Sequence, residues 1–211
     1  MEKNGFNYDQ ETDFDIDSYP SIIDSYNELI LSGHAEYMTR RIFEAIIASR
    51  NSGVNLAIFG GNTALWQTRM TASKIGENRR IIMYRSATED PDTNIRQVSI
   101  EFRDHRINMP QTLFTGTEPS GTHVYGDLKA VKIPNWSGLA SNSEIVGFSP
   151  DSEVEEVIPN SPASPSKVNV IFHGDMRYSD PTTTPNGAKT TNSDVVWFTN
   201  SNGQATFNAG I

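Results

Sequence analysis

The chain has no cysteine. Disulfides and thiolate metal sites are therefore excluded. Long apolar runs are also missing. No stretch approaches the ~20 apolar residues of a membrane-spanning helix, and the acidic first twenty residues hold no apolar stretch of a secretory signal. The expectation is a protein made in the cytoplasm that stays soluble, without a membrane partner. Histidine is scarce. His34, His105, His123 and His173 fall at no metal-ligand spacing, so no metal site and no cofactor are expected. His173-Gly-Asp175 is the one His–Asp pair that could join an acid–base site. There is no nucleophile elbow and no phosphate-binding P-loop. With no catalytic set in view, the chain reads as something other than an enzyme.

Positive charge is nearly absent from the start. Residues 1–37 carry nine acids against one base, for −8. Residues 38–106 carry eleven Lys/Arg against seven acids, for +4. Residues 107–211 carry ten acids against five bases, for −5. The overall −9 argues against nucleic-acid binding, where Lys/Arg contacts to phosphate dominate affinity. An acidic arm before a basic middle predicts a contact between subunits, or an arm folded back on its own body. The interface candidates are Phe14 and Ile16 of the arm, Arg40, Arg41, Arg79 and Arg80 of the basic middle, and Trp136 in a loop.

Apolar residues make up 36% of the chain, which is low for a compact globule. At 211 residues the length still suffices for one core or two small ones. The pattern predicts an α+β fold: two N-terminal helices packed on a mainly antiparallel sheet, then a loop-rich β half. Residues 1–20 read as an extended arm, with Phe14 and Ile16 alternating with Asp13, Asp15 and Asp17. Residues 21–148 read as the α+β core, 149–166 as a Pro-rich acidic strap, and 167–211 as a β-rich segment. The helices are expected at 21–33 and 34–50, with Glu36–Arg40 and Arg40–Glu44 as i,i+4 pairs on the second. A buried strand is expected at 54–59 and a hairpin from 79–87 and 95–104. Strands are also expected at 124–133, 144–148, 168–173, 195–199 and 204–208. Glu153, Glu155 and Glu156 fall in the strap and read as solvated.

The sharpest local feature is the turn Gly60-Gly61-Asn62-Thr63 after the buried strand. A glycine-rich turn exposes backbone N–H groups. If Ala64 opened a helix, its positive end would face the same point and suit an anion. These residues, over about 30 positions with the preceding helix and strand, resemble the opening of the sugar-phosphate lactonase/deaminase families. Asn62 and Ala64 stand where those families carry a hydroxyl residue and a proline. The resemblance implies a sugar-phosphate ligand at these four residues.

Three functions follow as expectations. The first is a structural or assembly subunit, working through arms and loops against copies of itself or neighbouring structural proteins, such as a phage capsid, neck or tail component. On that reading the chain is oligomeric and joins a virion. The second is a small-molecule binder or enzyme using the glycine turn. The third is a β-rich adhesion or carbohydrate-binding module.

Overall fold

The computed structural model describes residues 2–135, 137–180 and 184–210. The fold is mixed α/β, mostly sheet, with a curled half-barrel sheet and few helices. The expected pair of N-terminal helices is not what forms. The first ordered element is a short helix, α1 (Asp13–Ser18), followed by a 3-10 turn at Pro20–Ser25 and strand β1 (Glu28–Ser32). The arm coils because Thr12 and Asp15 make a reciprocal capping box. Residues 29–31 extend because Leu29, Ile30 and Leu31 find a parallel partner strand, and that ladder overrides the helical spacing.

The expected helix at 34–50 begins later. Strand β2 (Tyr37–Thr39) comes first, and α2 (Arg40–Ser52) follows. Thr39 caps α2 by accepting from the Ile42 N–H at 3.2 Å, and Gly53 ends it at φ 133°. Ile42, Phe43, Ala45 and Ile46 form its buried stripe. Strand β3 (Asn55–Phe59) then runs parallel to β1, with α2 as the crossover between them.

A hairpin forms earlier than expected, from β4 (Trp66–Ser73) and β5 (Gly76–Ile82), with β2 parallel to β4 in a three-stranded sheet. Residues 83–111 contain no regular strand. The backbone donors that a second hairpin needs are taken by side chains. Asp90 accepts from Asp92 N–H, Asp92 from Asn94 N–H, and Asn94 from Arg96 N–H. The buried Asp90 carboxylate also takes the Ser99 N–H at 2.7 Å, the Ser99 hydroxyl at 2.6 Å and the Arg69 guanidinium at 2.7 Å. Burial opposes its ionisation, but Arg69 and Ser99 outweigh that and hold the carboxyl well below the usual range.

After the short helix α3 (Thr112–Thr115), strands β6 (Glu118–Ala130), β7 (Ile145–Glu156), β8 (Asn169–Tyr178), β9 (Thr190–Thr199) and β10 (Ala205–Asn208) complete the large sheet. Its order is β1-β3-β10-β9-β8-β6-β7. β10 lies parallel to β3, so the last strand joins the first half of the chain in one sheet. β7 continues to Glu156, through the first residues of the segment expected as a strap. One core gathers Phe43, Phe102 and Phe114, with ring centroids 4.6 and 5.1 Å from Phe43. A second gathers Val124, Leu128, Val154, Ile171, Met176 and Val195 under the curled strands.

The acidic arm folds back on its own chain. Asp17 accepts from the Thr39 hydroxyl, Arg41 reaches the Ser18 carbonyl at 3.4 Å, and Arg79 lies 5.2 Å from the Phe14 ring. Ile16 is buried in the first core, and Arg40 is bonded to Glu44. Arg80 is exposed on β5. Trp136 lies outside the described residues.

Asp90→Ala should destabilise the protein by about 3–5 kcal/mol, because it strands Arg69 and the Ser99 donors. Urea denaturation at pH 7 checks this. The carboxyl is lowered in the fold, so its contribution is full above the ordinary 3.8 and fades as pH falls below it. The stability gap between wild type and Asp90→Asn should therefore shrink in acid below that value.

Candidate functional site

Parallel β1 and β3 end at the same edge of the sheet, where open α/β sheets place their ligands. Two loops leave that edge. Residues 33–36 follow β1, and residues 60–65 follow β3. Three backbone bonds link this region: Gly33 N–H to Phe59 O at 2.9 Å, Ala64 N–H to Ala35 O at 2.8 Å, and Trp66 N–H to Glu36 O at 2.9 Å. The glycines are there for close approach. A Cβ on Gly60 would sit 2.1 Å from Gly33 O, and one on Gly61 would sit 3.0 Å from Glu153 O. Three backbones therefore converge, with β7 as the third.

No helix begins at Ala64; the chain passes into β4. The N–H of Thr63 points at Glu155 Oε1, 3.3 Å away, and the Asn62 backbone bonds the same carboxylate. Glu155 is fully buried, contrary to the solvated reading of this acidic run. Its Oε2 accepts from the Thr117 hydroxyl and from Asn208 Nδ2 at 3.0 Å. Burial without a cation raises its carboxyl above the usual range, against the pull of Thr117, Asn208, Thr63 and Asn62. The donors of the glycine turn thus face a carboxyl group supplied by the chain itself.

In front of this junction, side chains from four segments meet. Glu36, from the β1–β2 loop, has its carboxyl raised first by desolvation and then by the negative charge of Glu153 on β7. Arg85, a hydrogen bond from the Trp66 side chain and His34 oppose that rise. His34 Nδ1 and Glu153 Oε2 lie 3.0 Å apart, an ion-pair separation without the alignment of a hydrogen bond. Arg85 sits over two rings, 5.1 Å from Tyr37 and 5.1 Å from Trp66. Beside them opens a cleft of about 480 Å³ lined by Trp66, Arg85, Ser86, Ile100, Glu101 and Arg103. Two carboxylates, an imidazole and a guanidinium at one open edge can move protons and bind a polar substrate.

Among the described residues, no group of three or more His, Asp or Glu side chains is arranged to hold a metal ion. His173 lies away from this edge, on β8. Its Nδ1 is 2.7 Å from Asp194, and its Nε2 is 3.8 Å from Asp175. Sequence reasoning missed His34, Glu36, Arg85 and Glu153 as a group. Reading residues 34–50 as one helix made Glu36 an i,i+4 partner of Arg40 rather than a loop residue. The available signal was Gly33-His34-Ala35-Glu36 following the apolar triplet Leu29-Ile30-Leu31, once that triplet is taken as a strand.

The family described as N,N-dimethylformamidase beta subunit-like, C-terminal, matches residues 1–211. The chain belongs to this family. No curated protein matches the chain. The family is named for a subunit of an enzyme, which overturns the expectation of a structural or phage virion protein and the expectation of a non-enzyme. Virion incorporation has no support. No helix among the described residues is long and apolar enough to cross a membrane.

Glu155 gives this junction a pH signature. Its carboxyl is raised in the fold, so the native state keeps a proton that the unfolded chain releases near 4.5. Stability from this group is full below that value and is lost as pH rises through the folded pKa. Glu155→Gln should flatten that decline in urea denaturation series between pH 4.5 and 8. An unchanged slope would mean that Glu155 ionises normally. Glu155→Ala, which orphans four donors, should cost about 2–4 kcal/mol.

Proposed function

We propose that this chain carries the proton-handling side of an amide-hydrolysing site. The substrate would be a small N-alkylated amide such as N,N-dimethylformamide. Membership of a family named for a dimethylformamidase subunit supports the reaction class. The observation that carries the assignment of residues is Glu36, desolvated at the open edge of the sheet with Glu153 beside it. A carboxyl raised above its ordinary value holds a proton more tightly, which suits Glu36 to take one from water.

In this reading the Glu36–Glu153 pair takes a proton from water. The water oxygen attacks the amide carbon, the C–N bond breaks, and the nitrogen leaves with a proton. The products are a carboxylic acid, which ionises, and an amine. His34 holds Glu153 in place by the 3.0 Å pairing. The word subunit in the family description also supports protein partners, and we propose that the chain works within an oligomeric assembly.

Dimethylamine release from N,N-dimethylformamide tests this. Glu36→Gln should lower turnover by about 100-fold or more, the usual contribution of a positioned acid–base group. Its melting temperature should stay near that of wild type, because Glu36 and its hydrogen-bond donor Trp66 are both part-exposed. The acidic limb of the wild-type pH–rate profile should lie above the ordinary glutamate value of 4.5, since the carboxyl is raised. Full activity in Glu36→Gln would sink the assignment.

A further inference from the structure

We infer that Arg85 is the docking point for a small planar carboxylate at this site, the acid product of the proposed hydrolysis and its acyl precursor. The identity of the ligand rests on the amide-hydrolase reading; the binding geometry does not. Tyr37 and Trp66 are direct register partners of the parallel β2–β4 pair, so their rings are held side by side by the ladder. The Arg85 guanidinium lies 5.1 Å from each ring. Neither ring contact is a hydrogen bond, so among the described residues the N–H groups along its edges are left without one. Those edges form the fork that matches two oxygens of a carboxylate.

The other cleft arginines are already committed. Arg103 is paired with Glu101 at 2.6 Å, and Arg106 with Asp104 at 2.7 Å. Among the described residues, Arg85 makes no hydrogen bond and no ion pair; Glu36 acts on it only through space. Its backbone is at φ 57°, in the left-handed region that bulky L residues rarely occupy. The chain therefore spends strain to aim a charge that, among the described residues, no hydrogen bond or ion pair takes up, a pattern associated with ligand clamps. The side chain is exposed at the cleft, so a ligand can reach it.

Sodium formate is the probe. The wild-type chain, Arg85→Gln, Arg85→Lys, Arg103→Gln and Arg80→Gln are titrated at ionic strength held constant with chloride. The readouts are the arginine Nε–H resonances and the formate ¹³C signal in NMR. Wild type should show saturable binding that shifts the Arg85 resonance. Arg85→Gln should weaken affinity by about tenfold or more, the scale of a lost charge-assisted bond. Arg85→Lys should fall between, having charge without the fork. Arg103→Gln and Arg80→Gln should bind as wild type does.

Wild-type affinity in Arg85→Gln, no saturable binding by wild type, or loss confined to Arg103→Gln would each overturn the inference. The two readings fail separately. Formate bound through Arg85, with no dimethylamine released from N,N-dimethylformamide, would sink the hydrolase reading and leave the carboxylate site. Hydrolysis with undiminished formate binding in Arg85→Gln would sink only the Arg85 site.

Discussion

The architecture depends on a buried carboxyl group that ties four segments of the chain together. Glu155 comes from β7, its donors come from the β3–β4 loop, from Thr117 at the head of β6 and from Asn208 on β10. These segments are 38 to 92 residues from it in sequence. A buried acid with only neutral donors is costly unless every lone pair is used. That cost makes the arrangement specific. Any slip of β7 or of the glycine loop would leave either an acid or several N–H groups unpaired in the interior. The two glycines permit this convergence because side chains there would collide with Gly33 and Glu153.

The candidate edge inherits its geometry from that knot. Glu153 lies two residues before Glu155 and is thereby carried to His34 and Glu36. Trp66 lies three residues after Thr63 and is carried to Tyr37 and Arg85. A polar site of this kind needs its parts held to within a fraction of an ångström, and rigid ladders with a second layer of hydrogen bonds supply that. Asp90 does a comparable job for residues 83–104, which have no ladder of their own. It gathers Arg69 and Ser99, the residue before Ile100 of the cleft lining.

The charge segregation has a local resolution. The acidic arm meets the basic middle within one chain, through α1 against β5 and the start of α2. Composition was compatible with this or with contact between subunits, because the sign of a charge block says nothing about whose surface answers it. Among the described residues the guanidinium of Arg85 makes no hydrogen bond or ion pair, and it stands out against Arg103 and Arg106, which are engaged nearby.

Local chemistry determined much by itself. The buried strand at 55–59, α2 with its stripe and terminating glycine, and the last hairpin around Asn200-Ser-Asn-Gly203 follow from burial pattern, capping and turn residues, all short-range effects. The lack of cysteine settled that no disulfide or thiolate site exists. What tertiary structure alone decided were the cases where local preferences were close to balanced. Leu29-Ile30-Leu31 suited helix or strand, and a parallel partner at 56–58 chose strand. Glu155 looked like its neighbours Glu153 and Glu156 in an acidic, proline-flanked run, and only strand pairing placed it in the core. The site shared this fate. Its carboxylates, imidazole and guanidinium lie on segments up to 119 residues apart, between His34 and Glu153, and no spacing rule links residues that meet only when a sheet curls.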